Sequence, residues 1–356
     1  ASGTAAPSSG TRSPNAWARR VAERRAGGAT LHDLTVADPT ATGLSALGAA
    51  GAEALARGAL LPYRPDPRGL PTARHAVAGY YAERGQAVAA ERVVLTSGTS
   101  EAYAHLFRLL ADPGQRILVP APSYPLFEPI AALEGVAVDR YPLAYDGRWH
   151  LDIPALEAEL ARGARAVVVV QPNHPTGSCR DPGEIDTLES LCERAGAAIV
   201  ADEVFGDFGW DETAPRLPSL LGERRVPTFA LSGLSKVCGL PQLKLSWIAA
   251  CGPAAAVDPA IAGLEWIADL FLSVAMPVQH ALPALLADRG AYQDRVHERV
   301  ARNRSRLAAA VKEAPALSVL TAEGGWHSTL RLPARLADFK AAAQQAKDAT
   351  DALASW

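Results

Sequence analysis

Cysteine is scarce in this sequence. Its 356 residues include four, Cys179, Cys192, Cys238 and Cys251, far apart and with neither a CxxC nor a paired histidine spacing. A disulfide framework and a zinc site both need closer, regular spacing, so reduced thiols in a cytoplasmic setting are expected. A charge excess of one sign is also missing. The formal net charge is −3, without the basic surplus that a nucleic-acid partner calls for. No apolar run reaches the ~18–20 residues of a membrane span, so no membrane partner is expected. The stretch 1–14 is rich in Ser, Gly, Thr and Ala, lacks the apolar core of a signal peptide, and reads as a disordered leader. Aromatic residues are sparse at 6% and outline no side-chain pocket. A small-molecule partner remains.

What is present suits a globular enzyme. Hydrophobic residues make up 49% and charged residues 21%, on a chain long enough for one large domain or two sharing a core. Between 92 and 251, short β-branched runs alternate with amphipathic stretches. Strands are expected at 92–96, 116–119, 166–171, 197–202, 228–232 and 246–250, with helices such as 100–111 and 183–194. Apolar runs bounded by turn residues suit strands buried on both faces of a mostly parallel sheet, hence an α/β fold. After 259 the chain turns helical, with a basic, alanine-rich stretch at 292–312 and short strands at 317–320 and 328–332. The expected division is an N-terminal segment at 15–45 joining a small domain, a large ligand-binding domain at 46–275, and a small α+β domain at 276–356. Its last part, 336–356, is helix-prone.

Lys236 follows the run 228–232 and so falls at the carboxyl end of a buried strand, where open α/β sheets bind ligands. A lone lysine is usually a surface residue; the residues that accompany this one change the reading. Asp202 ends another apolar run, where a carboxylate can hold a pyridine nitrogen protonated or simply cap a helix. Asn173 lies in the turn Gln171-Pro172-Asn173-His174-Pro175-Thr176-Gly177 after a third run, with its amide placed to reach a ring oxygen. Ser97-Gly98-Thr99-Ser100 leads from a strand into a helix, offering free N–H groups and a dipole to a phosphate. Lys244 adds a positive charge to such a phosphate, and the ring of Tyr124 can stack on an aromatic cofactor or pack in a core.

Together, strand–SGTSEA–helix, PSYP, NHPTG, ADEVF and SGLSK…LPQLKLSW resemble the class I/II aminotransferases, the fold-type I enzymes that use pyridoxal 5'-phosphate (PLP). The resemblance spans roughly 33–333. It implies the fold-type I architecture, a large domain with a mostly parallel sheet plus a smaller α+β domain. It makes Lys236 the Schiff-base lysine and proton shuttle, with Asp202 on the pyridinium nitrogen, Asn173 on the phenolic oxygen and Tyr124 on the ring. Thr99, Ser100, Ser235 and Lys244 take the phosphate by the same resemblance. Tyr63, in Pro62-Tyr63-Arg64-Pro65, matches a tyrosine that reaches the partner's phosphate, which implies a homodimer with shared sites.

Four departures stand out. Phe205 replaces a tyrosine whose hydroxyl bonds the phenolic oxygen, so the imine pKa is expected to be higher than in a typical member. Gly233 replaces a phosphate-binding serine, and Lys244 an arginine. Family members also continue past the strand near 324–333 with a part that completes the small domain and often clamps the substrate carboxylate. Here the chain turns Ala-, Gln- and Lys-rich and Arg331 is the remaining clamp candidate, or else a solvent-facing strand residue. By the same resemblance Asp38 borders the substrate, where it favours a cationic group or caps a turn. Trp247 and Trp326 are expected to pack in cores. The leading functional expectation is amino-group transfer between an amino acid and a 2-oxo acid. The alternative is β- or γ-elimination or replacement, for example on S-adenosylmethionine.

Overall fold

The computed structural model describes residues 16–31, 33–44, 47–211 and 216–333. The expected leader at 1–14 and the helix-prone stretch 336–356 lie outside the described residues. Helix α1 (Ala16–Ala26) precedes α2 (Ala49–Gly58) and α3 (Pro71–Ala82). The α/β part then runs β1 (Val93–Thr96), α4 (Thr99–Leu110), β2 (Arg116–Ala121), α5 (Phe127–Leu133), β3 (Ala137–Tyr145), β4 (Trp149–Leu151), α6 (Ile153–Ala161) and β5 (Ala164–Val170). It continues with α7 (Pro182–Ala195), β6 (Ala198–Asp202), β7 (Thr228–Gly233), α8 (Leu234–Val237) and β8 (Ser246–Cys251). Helices α9 (Ala254–Phe271), α10 (Met276–Ala287) and α11 (Arg289–Lys312) follow, then a small ladder of β9 (Ser318–Val319) and β10 (Leu330–Arg331).

Among the described residues, eight strands form one sheet in the order β1-β8-β7-β6-β5-β2-β3-β4. Strands β3, β2, β5, β6 and β7 pair in parallel, β8 runs against both β1 and β7, and β4 folds back on β3. Every residue of β6, β7 and β8 is buried, because helices cover both faces. Side chains of α3, α6, α7 and α10 join the core on one face. Those of α4, α5 and α9 fill the other. A fully buried valine such as Val167 or Val168 contributes roughly 1.5–3 kcal/mol, which explains why β-branched runs mark the central strands.

Local chemistry fixes the element ends. Asp181 caps α7 reciprocally with Glu184, Pro182 opens the helix, and Gly196 closes it in the left-handed region. The mostly parallel sheet agrees with the sequence expectation, and each expected central strand lies within two residues of an observed one. Strands β3 and β4, at the end of the sheet, went unforeseen, because both are only partly buried and β3 lacks a continuous apolar run. The strands expected at 317–320 and 328–332 shrink to two residues each.

The segment carrying Gly324 docks tightly against the strand ends. The backbone N–H of Trp210 donates to Glu323 O at 2.8 Å, and those of Glu323 and Gly324 donate to Gly177 O at 2.8 and 3.0 Å. A Cβ on Gly177, whose φ is +67°, would lie 2.6 Å from Gly324 O, so this approach requires glycine. The next residues, Trp326 and His327, are thereby delivered to the carboxyl ends of β5, β6 and β7.

Candidate active site

Strand β7 ends at Gly233 and passes directly into α8, which carries Lys236. Gly233 pairs with Ser246 across the β7–β8 ladder, where a Cβ would sit 2.2 Å from Ser246 Oγ and 2.9 Å from its Cα. The glycine at this position therefore has a packing cause. Lys236 Nζ lies 4.9 Å from the centroid of Trp326 and 5.6 Å from that of Phe205. Burial among these rings pulls the Lys236 ammonium below the usual lysine range, while Asp38 and Asp202 oppose that pull.

Asp202 closes β6 and is buried. Its carboxylate accepts hydrogen bonds from the Tyr103 hydroxyl at 2.7 Å and from the Val204 N–H at 3.1 Å. Burial raises its pKa; the Tyr103 and Val204 bonds and the charge of Lys236 pull the other way. Ring contacts run outward from Tyr103 to Phe127 at 5.2 Å and on to Tyr124 at 5.6 Å. Tyr124 is half-buried and hydrogen-bonded to Ser100; burial holds its phenol above the ordinary range.

The N-terminus of α4 leaves backbone N–H groups unpaired within the helix. Ser97 donates through its N–H (2.6 Å) and hydroxyl (2.9 Å) to the Glu101 carboxylate, which folds the loop. The helical ladder starts with the Ala102 N–H to Gly98 O, so the N–H groups of Thr99 and Ser100 precede it. Among the described residues, no atom beyond its chain neighbours comes within 4 Å of where a Gly98 Cβ would be, leaving the space above the loop open. Ser235 is half-buried one residue before Lys236, and Lys244 is exposed with φ 50° just ahead of β8.

Asn173 is hydrogen-bonded within the protein. Its Nδ2 donates to Pro122 O (3.0 Å) and Thr176 Oγ1 (2.8 Å), and its Oδ1 accepts from the Ser123 hydroxyl (3.0 Å). Both amide hydrogens are thus engaged in tying the β2 loop to the turn after β5. The adjacent His174 lies near enough to Lys236 for its charge to act on the ring. Its ring stacks on Phe205 at 6.3 Å and 29°, and it meets His327 edge to face at 4.4 Å. His174 Nδ1 is buried without a hydrogen-bond partner. Burial holds both imidazoles below the histidine range, His327 down to about 4, with Lys236 pushing the same way.

The remaining expected residues scatter. The Asp38 Oδ1 accepts from the Thr40 N–H (2.8 Å) and hydroxyl (2.7 Å), a turn cap that lowers its pKa, helped by the charge of Lys236. Arg331 is exposed and lies over the Tyr145 ring at 5.4 Å, at the β3 edge rather than among the groups around Lys236. Tyr63 is 72% exposed and lies beside the exposed Leu60 and Leu61. Trp247 is buried in the core as expected; Trp326 instead covers Lys236.

Beneath the site, Glu203 accepts from the Ser219 hydroxyl and the Leu220 N–H and lies 3.8 Å from buried Arg84. Asp207 accepts from Tyr80 and Gln293, linking the loop after β6 to α3 and α11. Tyr103, His174, His327 and Trp326 are the site residues that the sequence reading missed. Tyr103 carried one usable signal, a position four residues after Thr99 on the same helical face.

The sequence pattern described as Aminotransferase class I and II matches residues 33–354. Among curated proteins, the chain is 29% identical over 234 residues to the glutamate-pyruvate aminotransferase AlaA of Escherichia coli (strain K12), covering 64% of this chain and 56% of that protein. It is 31% identical over 223 residues to the tyrosine aminotransferase of Mus musculus, covering 62% and 49%. The chain thus spans about half the length of the curated relatives it matches. Its fold is similar to an alanine aminotransferase from Pyrococcus furiosus (TM-score 0.76, 23% identity, 85% of this chain and 77% of that one). An aspartate aminotransferase from Thermus thermophilus with maleate gives 0.74 at 22% identity, over 88% and 80%. These two likenesses establish the fold-type I architecture.

Proposed function

This chain belongs to the class I and II aminotransferase family, and from that premise we propose that it transfers an amino group from an amino acid to a 2-oxo acid with PLP carried on Lys236. The observation that carries this reading is the pairing, at adjacent strand ends, of a lysine with a lowered pKa and a buried carboxylate. The matched relatives bear aminotransferase names, which supports transfer over elimination or replacement.

The residues present fit the cofactor. Asp202 is a buried carboxylate with hydrogen-bond donors but, among the described residues, no ion-pair partner within 4 Å, an environment suited to a protonated pyridine nitrogen. The open space above Gly98, the N–H groups of Thr99 and Ser100, Ser235 and Lys244 suit its phosphate. The half-buried Tyr124 suits its ring face. PLP supplies an aldehyde that takes up an amine and a pyridine ring that accepts electrons.

The chain's own groups do the rest. Burial keeps a larger share of Lys236 as free amine near neutral pH, and Nζ is the base that takes the proton from the substrate Cα. Tyr103 holds Asp202 in place, and Phe205 and Trp326 shield the amine from water. The exposed Tyr63, Leu60 and Leu61 suit a homodimer in which Tyr63 completes the partner's phosphate site. Free cysteines, three of them buried, are in keeping with a cytoplasmic location.

The test is incubation of the purified protein with a panel of amino acids that includes S-adenosylmethionine. Release of a 2-oxo acid with conversion of the cofactor to its amine form is the expected result. Release of a thioether or of methylthioadenosine would contradict amino transfer.

A further inference from the structure

Helix α8, which carries Lys236, is a single turn, so its place is set by contacts from outside it. The Leu234 N–H donates to Leu245 O at 3.0 Å, and the Cys238 thiol donates to Leu285 O at 3.4 Å. Its far end rests on α11. Gly239, with φ +66°, lies against Tyr292, where any side chain would run into the ring. The next residue of α11, Gln293, donates from Nε2 to Val237 O at 3.0 Å. Val237 is the immediate neighbour of Lys236.

The same amide nitrogen reaches the loop of the buried carboxylate. Gln293 Nε2 also donates to Asp207 Oδ2 at 3.1 Å. Asp207 lies five residues past Asp202 and two past Phe205, on the loop that leaves β6. From α3, the Tyr80 hydroxyl donates to Asp207 Oδ2 at 3.0 Å, and one turn along α11 His297 Nε2 lies 3.0 Å from Asp207 O. Asp207 Oδ1 is buried with no partner, so the carboxyl is held through Oδ2. Gln293 is 5% exposed, and a buried amide bonded to two elements is locked in one orientation.

We propose that Gln293 is a positioning residue whose amide ties the turn of Lys236 to the loop of Asp202 and so holds the lysine amine in register with the carboxylate. The proposal rests on Lys236 as the residue that carries PLP. The β6–β7 ladder sets Asp202 against Leu231, but Lys236 stands three residues beyond the last ladder residue of β7. Past that point the strands no longer fix the two groups relative to each other, and the Gln293 amide does. Bond formation between an amine and an aldehyde depends on this register, since a shift of about 1 Å costs up to ~100-fold in rate. A neutral amide also suits the place. A lysine or arginine could serve Asp207 equally, but would set a second cation against the turn of Lys236.

The test separates holding the cofactor from bonding it. Pyridoxine 5'-phosphate lacks the aldehyde and occupies the site without reacting; fluorescence titration reads its affinity. Capture of PLP by Lys236 is read from growth of the yellow band after rapid mixing with cofactor-free protein. Gln293→Met keeps the volume and loses both donors. Capture should slow about 10–100-fold, with the affinity for pyridoxine 5'-phosphate within threefold and the visible circular dichroism of bound PLP altered. Gln293→Asn, with its amide one carbon short, should fall between, and it decides the matter in the same way should Gln293→Met not fold. Tyr80→Phe removes the other bond to Asp207 Oδ2 and leaves Val237 O untouched. It should lower the melting temperature by a similar few degrees yet capture PLP within threefold of the wild-type rate. Wild-type capture and dichroism in the Gln293 variants would overturn the proposal. So would slowing in Tyr80→Phe equal to that in Gln293→Met, because Gln293 would then serve stability alone. PLP captured at another lysine in the wild type would overturn the Lys236 reading and this inference with it.

Discussion

The hydroxyl of Tyr103, on α4, donates a 2.7 Å hydrogen bond to Oδ2 of Asp202 at the end of β6. Both groups are buried, so the bond is made in a low-dielectric setting and fixes which way the carboxylate faces. Tyr103→Phe should keep the fold and weaken cofactor binding. A hydrogen bond to a charged group is worth about 1.5–3 kcal/mol, so PLP affinity should fall roughly 10–100-fold, measured by absorbance titration. Unchanged affinity would mean that Asp202 is oriented by other contacts.

Asp202→Asn should separate function from stability. Burial raises the folded-state pKa of Asp202 above its unfolded value of about 3.9, so the native state holds a proton that the unfolded state releases. Stability therefore falls as pH rises from about 4 through the folded pKa, and the cost persists at neutral pH. The asparagine variant removes that cost. Its melting temperature should exceed that of the wild type by more at pH 7 than at pH 4.5, while PLP affinity drops. A variant that loses stability equally at both pH values would contradict this sign.

Much of this was legible in the sequence because chemistry and burial coincide there. Asp202 ends one mostly apolar run and Lys236 lies just past another, and such runs become the buried central strands β6 and β7. The start of α4 at Thr99 was readable from small residues between a strand and an amphipathic stretch. Asn173 and His174 show the limit. Both lie in one turn, and sequence cannot reveal that the Asn173 amide is taken up by Pro122 and Thr176 while the next ring packs on Phe205 and His327. Trp326 and His327 were equally hidden, because their position depends on a tertiary contact between Gly177 and Gly324, 147 positions apart in sequence. Arg331 kept its strand, in a two-residue ladder that places its exposed guanidinium over Tyr145.

Gly233→Ser should not improve phosphate binding. The new side chain would run into Ser246 on the neighbouring strand, with backbone as well as side chain in the way. Overpacking of this kind costs about 1–3 kcal/mol, so the melting temperature should drop by several degrees. A stable variant with tighter PLP binding would show that β7 and β8 can separate locally.

Phe205→Tyr should change the spectrum of the bound cofactor. Phe205 is 6% exposed and packs between Trp326 and His174 beside Lys236. A hydroxyl there adds a donor that favours the anionic ring oxygen, so the pH at which the cofactor band changes should fall by about one unit. Absorbance recorded from pH 5 to 9 measures it. No shift would place the ring away from the cofactor oxygen.

The central claim is that Lys236 carries the cofactor, and Lys236→Ala tests it most directly. The purified wild type, loaded with PLP, should show a yellow absorbance band that borohydride bleaches, leaving the cofactor covalently attached at Lys236 by peptide mapping. The alanine variant should show neither the band nor the attachment. Covalent PLP retained in Lys236→Ala, or mapped to another lysine in the wild type, would contradict the account.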